Sequence, residues 1–167
     1  DDYVLIGTDD GEDGYSSDTA NLLLLDPKSG KLLDSMTGFT GDIRCSICYD
    51  TATKAFYFTS KGGYLYSVQV QKSGSSWKLA NKKQLELGGM STSTPVVHNG
   101  RAYIGVSGAG QFTPYSGHNI TVVNLSNMSA AYRMPTQGYP QTSGLLTTAY
   151  EKSGSGYVYV YFFDNYT

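Results

Sequence analysis

The segment STPVVHNGRAYIGV, Ser93–Val106, is two short apolar runs joined at Asn99-Gly100, and its layout comes back along the chain. Asn-Gly between alternating runs is a strong short-range signal for a β-hairpin, because both central residues of such a turn need positive φ. The same layout starts at Cys45 in CSICYDTATKAFYFTS and at Ser143 in SGLLTTAYEKSGSGYVYVYF, so successive copies lie 48 and 50 residues apart. Each interval reads strand, turn, strand, loop, strand, turn, strand. One such unit is a small twisted sheet that cannot bury both of its faces alone. Units of roughly 40–50 residues built this way stack around an axis as propeller blades, which buries those faces against one another.

A second echo agrees. IGTDDGEDGYSSDTANL, Ile6–Leu22, and IGVSGAGQFTPYSGHNI, Ile104–Ile120, both run from Ile-Gly to Asn plus an apolar residue, with 14 residues from Gly to Asn in each. The same long loop therefore follows the second strand in both units, while the middle unit has only Ser60–Gly63 there. No window holds apolar residues at helical spacing. Alternation and short apolar runs predict thirteen strands instead, at 3–8, 21–26, 31–36, 43–50, 55–60, 64–70, 77–87, 93–98, 102–106, 120–125, 130–134, 144–150 and 157–163. The expected fold is all-β: a propeller segment of four-stranded antiparallel blades. It divides into a partial blade over 1–40, blades over 41–90 and 91–140, and a partial blade over 141–167.

Composition narrows the function. Charged residues make up 16% of the 167, against about 25% in an average soluble protein. The net charge of −2 comes without a basic cluster, so the counterion-displacing footprint of nucleic-acid binding is missing. No apolar run approaches the ~20 residues of a helical membrane span. The many Tyr, Ser, Thr and Gly residues suit an extracytoplasmic, secreted or cell-surface protein. Four N-x-S/T sites, at Asn119, Asn124, Asn127 and Asn165, bear on this only where the source glycosylates. Cys45 and Cys48 form a C-x-x-C, but inside an alternating run. Strand geometry points such residues to opposite faces, so two small buried residues that do not bridge are expected rather than a redox or zinc motif.

Three segments resemble the repeats of the PQQ-like, or quinoprotein-like, propeller family. STPVVHNGRAYIGV is similar to its inner hairpin, LLLLDPKSGKLL (Leu22–Leu33) to its outer hairpin, and GGYLYSVQV (Gly62–Val70) to the strand between. The chain departs from the pattern where the family's outer-hairpin Trp falls on Asp34, and where NLSNMS replaces the family turn in the third unit. This marks a divergent member. The resemblance implies a propeller of about 4–8 blades. The roughly three blades here would then need the remainder of the same polypeptide, or another chain, to complete a ring. Proteins of this superfamily are quinone-dependent dehydrogenases, assembly scaffolds or binding modules, and the fold does not choose among them.

Two loops carry candidate chemistry. In DDGEDGYSSD, Asp9 and Asp13 with Gly14 match part of a calcium-loop pattern, and Asp18 could add a third oxygen ligand. Against that, Gly11 and Ala20 stand where the pattern wants ligands, and a solvated acidic turn explains the same residues. In SGAGQFTPYSGH, Phe112, Tyr115 and His118 lie among small residues. They could stack on a glycan or contact a protein, or fold back over a blade edge. Asp26 and Asp50 follow strands and read as turn formers. No nucleophile elbow accompanies either histidine. The expected function is a non-catalytic binding or scaffold module that takes a protein or glycan through the loops of one face. It has no cofactor other than possible calcium. The alternative is a fragment of a quinone- and calcium-dependent dehydrogenase.

Overall fold

The computed structural model describes residues 2–108, 117–151 and 156–165. Strand-forming runs and turn residues alternate through them and produce thirteen strands in four sheets that follow one another in the chain. The first sheet holds β1 (Val4–Gly7), β2 (Ala20–Leu25) and β3 (Leu32–Phe39) in that order. The second holds β4 (Cys48–Asp50), β5 (Ala55–Thr59), β6 (Tyr64–Ser73) and β7 (Ser76–Glu86). The third holds β8 (Val96–His98), β9 (Arg101–Val106), β10 (Asn119–Asn124) and β11 (Ser129–Pro135). β12 (Leu145–Thr147) and β13 (Tyr159–Tyr161) pair as the fourth. Every pairing is antiparallel between chain neighbours, as a meandering blade requires.

The turns are made by the residues that the sequence marks. Asp26 accepts from the amides of Lys28 and Ser29 and from the Ser29 hydroxyl. Asp50 accepts from the amide and hydroxyl of Thr53. Asn99 and Gly100 both take positive φ, 46° and 73°, and close the β8–β9 hairpin.

The second sheet explains why these units stack. Its middle strands, β5 and the first half of β6, are buried on both faces, unlike those of a half-solvated antiparallel sheet. Phe58, Tyr66 and Val68 point into one core with Ala20, Leu22, Leu24 and Phe39 of the first sheet. Phe39 meets Phe58 and Tyr66 edge-on, at centroid distances of 5.3 and 4.9 Å. The alternate residues Ala55, Tyr57 and Leu65 point the other way, into a second core with Ala102, Ile104, Val106 and Val123 of the third sheet. Period-two alternation thus serves two different neighbours, which is propeller packing and gives an arc of blades.

The Ile-Gly echo has its reason here. A Cβ on Gly7 would lie 2.2 Å from Ile43, and one on Gly105 would lie 1.7 Å from the carbonyl oxygen of Pro140. Gly7 ends β1 and Gly105 stands one residue before the end of β9, and at both the connector leading into the next sheet crosses against the backbone. Asp34 makes a polar clasp between sheets. Its carboxylate accepts from the Leu79 amide at 2.8 Å and from Lys78 at 3.2 Å, joining β3 to β7.

The first strands of the sheets are shorter than the sequence predicts. Runs expected over 43–50 and 93–98 pair only at Cys48–Asp50 and Val96–His98. The residues before them bond sideways instead: Ile43 to Thr8, Ser46 to Thr94, and Ser93 to Thr142. Cys45 and Cys48 are free thiols. The Thr59 amide donates to Cys45 Sγ at 3.1 Å, and burial pushes both thiols up. No helix among the described residues is long and apolar enough to cross a membrane.

Candidate functional site

Antiparallel alternation puts the connectors 8–19, 40–47, 60–63, 87–95 and 136–144 at one end of the sheets, called here the loop face. Asp42 organises it. The Asp42 amide donates to the Gly14 carbonyl, and the Lys61 amide donates to the Asp42 carbonyl. Asp42 Oδ1 accepts from the Asp10 amide at 3.0 Å. Asp42 Oδ2 takes Arg44 at 2.9 Å and Lys61 at 3.3 Å. The side chain is 4% exposed. Burial alone would push its carboxyl up, but the Asp10 amide, Lys61 and Arg44 outweigh it and hold it below the ordinary carboxylate range. Arg44 reaches on to Asp9 at 2.9 Å, and Lys61 Nζ sits 4.0 Å from the centre of the Tyr15 ring.

Beside this cluster lies an open hollow of about 440 Å³ lined by Arg44, Lys61, Thr92 and Gln141. Arg44, Thr92 and Gln141 stand at nearly the same place in three successive repeats, each on the connector that leads into the first strand of a sheet. Their connectors are tied together at one-repeat spacing. The Ser46 amide donates to Thr94 Oγ1, Ser93 Oγ donates to the Thr142 carbonyl, and the Thr92 amide donates to Tyr139 Oη, at 2.9, 2.9 and 2.7 Å. The hollow therefore has a rigid floor. Three polar side chains from different sheets, with Lys61 beside them, can meet a ligand from several sides.

The expected calcium residues belong to this face but are turned to separate partners. Asp9 pairs with Arg44. Asp13 accepts from the hydroxyl and amide of Ser16 and the amide of Tyr15, which hold its carboxyl down at about 2. Asp18 accepts from the Thr40 hydroxyl at 2.6 Å. Asp10 spans the turn by accepting from the amides of Glu12 and Gly14. Among the described residues, no three His, Cys, Asp or Glu side chains are grouped to hold a metal ion. His118 is 7% exposed, and its ring stacks on Tyr139 at 6.3 Å. Phe112 and Tyr115 lie outside the described residues.

Arg44, Lys61, Thr92 and Gln141 carry no motif of their own in the sequence. The available signal was the repeat spacing, 48 residues from Arg44 to Thr92 and 49 from Thr92 to Gln141.

No family model matches the sequence, and no curated protein does. Among solved structures the chain is similar to a europium-containing methanol dehydrogenase, with a TM-score of 0.56 and 12% identity. The match covers 83% of this chain and 24% of that one, so the chain spans about a quarter of the enzyme's length. At this identity the likeness shows the propeller fold.

Proposed function

We propose that the chain is part of a non-catalytic binding or scaffold module in an extracytoplasmic, cell-surface propeller protein, and that it engages a protein or glycan across the loop face. The observation that carries this reading is the hollow to which three successive repeats each contribute a connector residue, Arg44, Thr92 and Gln141. The pairing of Arg44 and Lys61 with Asp42 supports it further, since these groups stiffen the face. The low charge and the abundance of Tyr, Ser and Thr support the location.

Further sheets, from the same polypeptide or another chain, complete the ring in this reading. Two apolar faces support that. Val4 and Ile6 are 45% and 49% exposed on the first sheet, and Tyr159 and Tyr161 are 46% and 51% exposed on the fourth.

A second reading, a fragment of a quinone- and calcium-dependent dehydrogenase, draws on the likeness to a methanol dehydrogenase. The residues do not fit that cofactor pair well. Asp42 and Asp9 are already matched to the hollow's Arg44 and Lys61.

The test sets the protein on a glycan array and through cross-linking at a cell surface, beside a Gln141→Trp variant that fills the hollow. Binding that the variant loses supports the module. Dye reduction on addition of pyrroloquinoline quinone and calcium, with no binding lost in the variant, supports the dehydrogenase.

A further inference from the structure

The end of the sheets away from the loop face carries a second concavity. Strands β5 and β9 run toward the loop face, so the β4–β5 and β10–β11 turns lie at the opposite end. Between the second and third sheets a cleft of about 570 Å³ opens there, within the roughly 300–1,000 Å³ of small-molecule sites. Its floor is Ala55, Tyr57 and Leu125, all buried. Its walls are polar: Thr53, Ser67, Gln69, Asn81, Lys82, Lys83 and Ser126.

The wall residues are held in place. Asn81 Nδ2 donates to Gln69 Oε1 at 2.6 Å, Gln69 Nε2 to the Thr53 carbonyl at 3.2 Å, and Tyr57 Oη to Thr53 Oγ1 at 3.0 Å. A β-bulge makes this possible. Ser67 pairs with Lys83 and Gln69 with Ala80, so Asn81 and Lys82 both stand opposite Val68. Asn81 takes φ 55° there, and the bulge separates the two lysines. Lys82 turns to the first sheet, where it donates to the Gly38 carbonyl over the ring of Phe39. Lys83 stays with Ser67 on the cleft side. No carboxylate lines the cleft, although the chain as a whole is acidic.

We infer that this cleft is a binding site for an acidic sugar, a hexuronate at the end of a glycan. A pyranose offers a rim of hydroxyls and an apolar C–H face. The Asn81–Gln69–Thr53 chain and Ser126 answer the hydroxyls, and the Tyr57–Leu125 floor answers the C–H face. Of the two lysines on the cleft, Lys82 has its ammonium on the Gly38 carbonyl, so Lys83 supplies the cation that selects a carboxylated sugar over a neutral one. The site lies at the opposite end of the sheets from the hollow and does not depend on the loop-face reading.

The experiment is calorimetric titration of the whole chain with a glucuronate-terminated disaccharide, with its glucose-terminated counterpart as the neutral control. Asn81→Gly keeps the left-handed backbone without a side chain and so leaves the fold intact, and Lys83→Met keeps the stem and removes the charge. The expected result is saturable binding of the glucuronate ligand, weakened about tenfold or more by either variant at unchanged melting temperature. Three results overturn the inference: no binding of the glucuronate ligand to the unmodified chain, equal binding of the neutral control, or affinity unchanged in both variants.

Discussion

Replacing Gly105 by alanine probes the stacking of the third sheet on the connector to the fourth. The backbone at Gly105 is not in the left-handed region, so alanine brings no dihedral strain there, and Gly→Ala by itself stabilises by about 0.4–1 kcal/mol through the unfolded chain. The added methyl, however, would stand 1.7 Å from the Pro140 carbonyl oxygen. That oxygen is backbone, and no rotamer change moves it. The connector must retreat by more than 1 Å, which disturbs Tyr139 and its hydrogen bond to Thr92. Overpacking of this kind costs typically 1–3 kcal/mol and occasionally more. The net expectation is a loss of about 1–2 kcal/mol, or roughly 2–8 °C in melting temperature for a chain of this size. Gly30→Ala is the control. Gly30 has φ 68° and no atom within 4 Å of a Cβ, so its loss is limited to about 1 kcal/mol of backbone strain. Urea denaturation of the two variants beside the unmodified chain measures the difference. A Gly105→Ala protein within 0.5 kcal/mol of the parent would falsify the close approach on which the stacking rests.

The other expectations concern side chains. Asp34→Ala removes the acceptor for the Leu79 amide and is expected to lower stability by about 1–2 kcal/mol in the same denaturation assay. An unchanged midpoint would mean that the clasp is idle. Asp34 and Asp42 have lowered carboxyl values in the fold, so their contribution is present above the unfolded value near pH 4 and is lost as pH falls through the folded values. The urea midpoint should therefore decline below about pH 4, and a midpoint rising with acid would contradict this sign. Millimolar calcium is expected to leave the melting temperature unchanged, because Asp9, Asp13 and Asp18 serve separate partners. A rise of several degrees would restore a cation site to the 9–18 loop. Alkylation in denaturant without reductant should add two groups to the intact mass, and a mass showing none would mean that Cys45 and Cys48 are bridged.

Much of the fold was legible because its signals are local. Asn99-Gly100, Asp26 and Asp50 mark turns by their own chemistry, and the alternation in AFYFTS and YLYSVQV marks strands wherever they sit. Strand length at the start of each sheet was not legible, because Ile43, Ser46 and Ser93 look strand-like alone but bond across to neighbouring connectors. The loop-face cluster was hidden for a similar reason. Asp42, Arg44 and Lys61 lie within a 20-residue stretch, yet their grouping depends on two connectors folding onto a third. Asp9, Asp13 and Asp18 show the converse: residues that resemble a ligand set along the chain each meet a different partner, the Arg44 guanidinium, the Ser16 and Tyr15 groups, and the Thr40 hydroxyl. Position 34 could be read as a departure from the family, but that its carboxylate bridges to β7 could only be seen once the two sheets were side by side.

The stacking order is tested most directly by proton NOEs across the two interfaces of the second sheet. Contacts are predicted between the rings of Phe39 and Phe58, and between the Tyr57–Leu65 side of the second sheet and Ala102, Ile104 and Val106 of the third. Finding both places the first and third sheets on opposite faces of the second, as an arc of propeller blades requires. If the Phe58 ring instead contacts Ile104 and its neighbours, the first and third sheets share one face, and the blade arrangement is contradicted.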